Sequence, residues 1–113
     1  MGRMERVNEQ TKRHIGEIVH RELSDPRLMF VSITHAVVSK DLKTARVYYS
    51  VLGDEAKVQL AQQGLDKARG IIRKQLAARL EMRFTPELIF IYDESIAHGA
   101  QIEKTIQELQ DEP

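Results

Sequence analysis

Cysteine is absent from this chain of 113 residues, and its absence excludes several kinds of site. Disulfide scaffolds, thiolate zinc sites, iron–sulfur clusters and thiol catalysis all require cysteine. Tryptophan is absent too, and only six residues are aromatic, which argues against a large pocket for a planar cofactor. We therefore expect a fold held together by packing alone, in a reducing compartment, with no bound cofactor.

Long apolar runs are also missing. The longest aliphatic or aromatic run, Leu88 to Tyr92, spans five residues, whereas a membrane helix needs about 20. The first residues are charged and lead into no apolar region of the kind that a signal peptide contains. These features predict a soluble cytoplasmic protein with one compact domain over residues 1–109 and a short acidic tail at 110–113.

Motifs of the common enzyme classes do not occur: there is no GxxxxGK[ST], GxGxxG, HExxH or GxSxG. The four histidines are scattered, and His14 and His20 are six positions apart, which places them on different faces of a helix. Asp93 and Glu94 are adjacent carboxylates, but no base can be paired with them, so capping of a following helix explains them better than catalysis. We expect no enzymatic activity and no metal site.

Charge is unevenly distributed along the chain although the net charge is zero. Residues 1–86 carry 16 Lys and Arg against 10 Asp and Glu, and residues 87–113 carry one Lys against seven Asp and Glu. A basic body with an acidic C-terminal segment can present a basic face to a polyanion.

Hydrophobic periodicity predicts an α+β two-layer sandwich. The predicted elements are a helix at 3–23, strands at 30–38 and 44–52, a helical segment from 54 to about 82, a strand at 87–92 and a helix at 96–109. Ser24-Asp25-Pro26 ends the first helix, and Asp54 caps the long helical segment. The two-sided apolar pattern of the third strand suggests a strand that touches a partner or neighbour on one side.

Alternation divides each strand of the predicted hairpin into two faces. In the first strand, one face carries Val31, Ile33, His35 and Val37, and the other carries Ser32, Thr34 and Ala36. In the second strand, Ala45, Val47, Tyr49 and Val51 lie opposite the polar face that carries Arg46 and Tyr48.

Cations cluster around Gly70 within the long helical segment. Lys67, Arg69, Arg73 and Lys74 all lie within four residues of this glycine. A helix break at Gly70 would expose free backbone N–H groups among these cations and form an anion site. The alternative is a solvated helix in which Gly70 only permits close packing.

Three stretches together resemble the ribosome-binding factor A family. They are the first helix with Ser24-Asp25-Pro26-Arg27, the hairpin segment 41–48 (DLKTARVY), and the segment 83–95 (RFTPELIFIYDES). The resemblance implies a KH domain of the type II arrangement with a three-stranded mixed sheet. In place of a GxxG loop it implies a helix-kink-helix at Ala68-Arg69-Gly70. It also implies a non-catalytic assembly factor for the small (30S) ribosomal subunit, with roles in late 16S rRNA maturation, 5′-end processing and growth in the cold.

With this resemblance, we expect a monomer that binds the immature small subunit, its rRNA and other assembly factors. The expected RNA contacts are Arg46, Lys67, Arg69, Gly70, Arg73, Lys74 and Arg79. The alternative is a protein–protein module in which Ile89 and Ile91 of the third strand dock onto a ribosomal protein.

Overall fold

The structure is a computed structural model, which describes residues 2–83 and 85–94. The chain forms α1 (Arg3–Glu17), a π-helical turn (Ile18–Glu22), a 3-10 turn (Pro26–Leu28), β1 (Val31–Val38), β2 (Thr44–Val51), α2 (Glu55–Arg79) and β3 (Glu87–Tyr92). This order confirms the predicted α+β arrangement over these residues. The helix predicted at 96–109 lies outside the described part of the chain.

The first helix ends where the sequence predicts. Its π-helical last turn gives way at Leu23 to extended backbone, and Pro26 opens the 3-10 turn. The Asp25 side chain caps this turn by accepting from the backbone N–H of Arg27. Proline removes one backbone donor and fixes φ, so the chain leaves the helix at this point.

The three strands form one mixed sheet in the order β1-β2-β3, with β1 antiparallel and β3 parallel to the central strand. The predicted buried face of β2 is confirmed, because Ala45, Val47 and Tyr49 are fully buried. In β3, Leu88 is buried whereas Ile89 is 46% exposed. The helices therefore cover one face of the sheet.

The predicted face of β1 is wrong beyond Thr34. The pairing register shifts between Ile33 and His35, as at a β-bulge, and an extra residue reverses the alternation that follows it. His35 is consequently exposed, while Ala36 and Val38 are buried. The bulge leaves the His35 imidazole on the outer face of the sheet, whereas alternation placed it on the same face as Val31, which is buried.

The predicted break at Gly70 is wrong, whereas the helix-kink-helix at Ala68-Arg69-Gly70, which the resemblance implies, stays a prediction. The chain forms a single α-helix from Glu55 to Arg79, and its N-terminus is capped by Asp54, as predicted. Each internal glycine costs a helix about 1 kcal/mol relative to alanine. Burial of a continuous apolar stripe on α2 offsets this cost; its members are Ala61, Leu65, Ile72 and Leu76.

The core lies between the sheet and the two helices. Its largest fully buried side chain is Tyr49, whose hydroxyl donates to the side-chain oxygen of Gln62 on α2. Burial raises the pKa of Tyr49 to about 12. The remaining core side chains are aliphatic or Phe90, and they come from α1, the π-helical and 3-10 turns, α2 and all three strands.

Candidate nucleic-acid interface

The outer face of α2 carries two lysines, one on each side of Gly70, which has no side chain. At about 100° per residue, Lys67 and Lys74 project from nearly the same direction, and Gly70 lies close beside them. All three residues are exposed, as is Ile71. Lys67 and Lys74 have no hydrogen-bond or ion-pair partner among the described residues. This face offers two cations about 10 Å apart along the helix axis.

Gly70 leaves the middle of this face without a side chain. A Cβ added at Gly70 would meet no heavy atom within 4 Å, so packing inside the described domain does not require glycine there. Gly64 differs, because an added Cβ would lie 3.0 Å from Cδ2 of buried Leu28. Packing therefore explains Gly64, whereas Gly70 allows an external partner to approach the helix backbone.

Arg69 and Arg73 lie on the flank of α2 that faces β3, and both contact the protein itself. Arg69 forms an ion pair of 2.5 Å with Asp66, and its guanidinium carbon lies 5.7 Å from the ring centre of Phe90. Arg73 donates from Nε to the carbonyl of Pro86 at 2.9 Å. A guanidinium has five N–H donors. Both side chains therefore keep N–H groups that can donate hydrogen bonds to an external phosphate.

Arg79 has a structural role between the two helices. Its guanidinium contacts carboxylate oxygens of Glu17 at 2.7 Å and Glu22 at 2.5 Å. The hydrogen bond from Arg79 holds the pKa of Glu17 below its usual range. The hydrogen bond to Glu22 raises the pKa of Arg79. Arg79 therefore faces α1 and lies apart from the exposed lysines.

Arg46 lies on the other side of the molecule. It pairs with Val37 of β1 and Ile89 of β3 and is exposed on the sheet face that points away from the helices. Its neighbours Ala45 and Val47 point the opposite way, into the core. Arg46 and the α2 lysines thus belong to two different surfaces, because α2 packs on the inner face of the sheet.

Ile71 is a further candidate contact residue that is not among the RNA contacts expected from the sequence. Its side chain is 53% exposed and lies beside Lys67 on the outer face of α2. The signal was present in the sequence, since position 71 falls well away from the buried stripe when residues are placed at about 100° intervals.

The other features considered from the sequence are Asp93, a metal site and a membrane-spanning helix. Asp93, considered as a helix cap, accepts a hydrogen bond from Thr34 Oγ1 at 3.0 Å, and the helix it was predicted to cap lies outside the described residues. Among residues 2–83 and 85–94, no group of three His, Asp or Glu side chains is placed to hold a metal ion. No helix in that part of the chain is long and apolar enough to cross a membrane.

Comparison with known families decides the assignment. A family model described as ribosome-binding factor A matches residues 3–106. The chain belongs to the ribosome-binding factor A family. The resemblance noted in the sequence is thereby confirmed, and the protein is a ribosome-binding factor.

Solved structures of ribosome-binding factor A share this fold. The crystal structure of the Thermus thermophilus protein is 29% identical, with a TM-score of 0.71 over 81% of this chain and 97% of that one. The solution structure of a candidate ribosome-binding factor A from Thermotoga maritima is 29% identical, with a TM-score of 0.65 over 84% of this chain and 93% of that one.

A third similar structure has a ribosomal context. It is a homology model of the Thermus thermophilus factor fitted into the cryo-EM map of its 30S complex. It is 30% identical to this chain, with a TM-score of 0.64 over 77% of this chain and 91% of that one. These structures support the KH-like, mixed-sheet assignment.

Proposed function

We propose that this protein is a non-catalytic maturation factor that binds the immature small (30S) ribosomal subunit through its 16S rRNA. On this proposal it assists late assembly and 5′-end processing of the rRNA in the cytoplasm, and is needed most in the cold. The Thermus relative in a 30S complex supports the choice of partner. The observation that carries the proposal is the α2 face on which Lys67 and Lys74, exposed and without a hydrogen bond or ion pair to any described residue, lie beside Gly70.

Binding on this face is electrostatic and depends on close approach. Lys67 and Lys74 neutralise phosphates, and Gly70 lets the RNA backbone approach the helix. Arg69 and Arg73 contribute their remaining N–H donors at the edge of the same surface. Because α2 is continuous, the free backbone N–H groups expected from a break at Gly70 take no part. The rigid helix instead holds a local RNA conformation until maturation lets the factor leave.

The test is charge reversal on the two surfaces. The double variant Lys67→Glu/Lys74→Glu should bind immature subunits much more weakly, and each single variant should bind more weakly to a lesser degree. Arg46→Glu on the opposite surface is the control matched in charge to each single variant, and it should bind nearly normally. With about four phosphates contacted, the wild-type log–log salt slope should be roughly −3 to −4. Equal losses in Arg46→Glu and the single lysine variants, or a slope near zero, would contradict the proposal.

The remaining expectations have separate tests. We expect a single domain over 1–109 that acts as a monomer. In size-exclusion chromatography, the protein should elute at the mass of one chain. A factor without catalysis should leave precursor rRNA uncut when the purified protein and that RNA are incubated together.

A second candidate function is docking of a ribosomal protein on the outer face of the sheet. The observation that favours it is Ile89, which is 46% exposed beside Arg46 on that face. Ile89→Asp should then abolish the part of a subunit pull-down that survives nuclease treatment. If nuclease removes all of the bound material, RNA alone accounts for the binding.

A further inference from the structure

A cleft of about 410 Å³ adjoins the lysine face of α2. One wall is the turn that follows α1, the same Ser-Asp-Pro-Arg stretch that carried part of the family resemblance. The other wall is α2 itself. The residues that line the cleft include Leu23, Ser24, Asp25, Lys67, Ala68 and Ile71.

The turn that forms the first wall is held rigidly against α2. Asp25 accepts hydrogen bonds from Arg27 through its backbone N–H at 2.9 Å, Nε at 3.0 Å and Nη2 at 2.7 Å. Leu28, which follows, is buried and packs so closely on Gly64 that a methyl group there would be crowded. The width of the cleft is therefore set by packing and hydrogen bonds of the domain itself.

The chemistry of the cleft suits a neutral group with a charged neighbour. Leu23, Ala68 and Ile71 provide apolar surface. The Asp25 carboxylate forms an ion pair of 2.7 Å with the Arg27 guanidinium, so its charge is balanced and its hydrogen-bonding capacity is committed. The apolar wall offers a phosphate no counter-charge, whereas Lys67 at the edge of the cleft can hold a phosphate outside it.

We propose that this cleft receives the base of one unpaired nucleotide of the bound RNA, while the adjoining phosphates lie on Lys67 and Lys74. The inference rests on the proposed function and adds an apolar, base-holding subsite to a surface otherwise recognised by charge. Apolar contact with Leu23, Ala68 and Ile71 holds the base, and the exposed hydroxyl of Ser24 can hydrogen-bond its edge. The subsite makes the factor prefer RNA with an unpaired nucleotide over a continuous duplex.

The chain offers a closely matched pair of variants for the test. Ile71 and Ile89 are the same residue type with similar exposure, 53% and 46%, but lie on opposite surfaces. Ile71→Ser and Ile89→Ser are compared for binding to a short single-stranded RNA of mixed sequence and to the duplex formed with its complement. Thermal unfolding of both variants verifies that the folded protein is being measured.

The expected result has two parts. Ile71→Ser should weaken binding to the single strand roughly tenfold through lost apolar contact, with an unchanged salt slope, while Ile89→Ser should have little effect. Lys67→Ala should instead lower the magnitude of the salt slope by about 0.7, as expected for one lost phosphate contact on a single strand.

Three outcomes would overturn the subsite. Equal effects of the two serine variants, or equal losses of single-strand and duplex binding by Ile71→Ser, would show that no base occupies the cleft. Normal RNA binding by Ile71→Ser, together with loss of a nuclease-resistant subunit contact, would assign the cleft to a protein. If Lys67→Glu/Lys74→Glu binds normally, the proposed function fails as well, so the two failures are distinguishable.

Discussion

Gly70→Ala should make this protein more stable and a poorer RNA binder. Position 70 is in the interior of α2, where alanine is favoured over glycine by about 1 kcal/mol. The added methyl group meets no heavy atom of the described residues within 4 Å outside the adjacent helix backbone, so little of this gain is lost to crowding. For a domain of this size, a gain of about 1 kcal/mol corresponds to a rise in Tm of about 4 °C.

Gly64→Ala is the control, because it changes the same residue type in the same helix. There the new methyl group would lie 3.0 Å from Leu28 Cδ2, and Leu28 is only 1% exposed. The buried leucine must shift, which offsets the helix-propensity gain. We therefore expect Gly64→Ala to be less stable than Gly70→Ala.

The assay combines urea unfolding, followed by circular dichroism, with RNA binding on the same samples. The expected pattern for Gly70→Ala is a higher midpoint of unfolding together with weaker binding, because the methyl group obstructs close approach of the RNA backbone. A lower midpoint would refute the continuous helix at this position. A higher midpoint with unchanged binding would refute the role given to the bare backbone.

Three further outcomes follow from the packing of the domain. Arg79→Ala should lower Tm more than the control Arg83→Ala, which removes an exposed arginine. Arg79→Ala should also make the free energy of unfolding depend less on pH in the acid range. The reason is that the lowered pKa of Glu17 contributes stability above its unfolded pKa, and this contribution is lost as pH falls through the folded value. The wild type should lose stability between about pH 10 and 12, because the tyrosine of the unfolded chain ionises at lower pH than the buried Tyr49. Tyr49→Phe should abolish this loss. The measurement is the free energy of unfolding as a function of pH. Ile72→Ala in the core should cost about 2–5 kcal/mol in urea unfolding; a loss below 1 kcal/mol would contradict the packing described for α2.

The sequence predicted those elements whose pattern is local. The buried face of β2 follows from strict alternation, and the start of α2 follows from Asp54 as a cap. The register of β1 was not predictable, because the bulge before His35 is a feature of pairing with β2. A local pattern contains no information about where an extra residue enters a ladder.

Gly70 shows the limit of propensity as a guide to structure. Its local cost predicts a break, but burial of residues such as Leu65 and Ile72 on both sides keeps the helix continuous. The candidate site was predictable only as a cluster of cations. Which of them remain accessible depends on tertiary contacts, since Arg79 is paired across to α1 and Arg46 lies on the opposite surface.

The most direct test of the central claim is to crosslink the protein to RNA in immature small subunits with ultraviolet light and to sequence the crosslinked peptides. If RNA binds to the outer face of α2, the crosslinks should fall within residues 67–74. Crosslinks confined to residues 44–51 and 87–92 would place RNA on the sheet face and contradict the account.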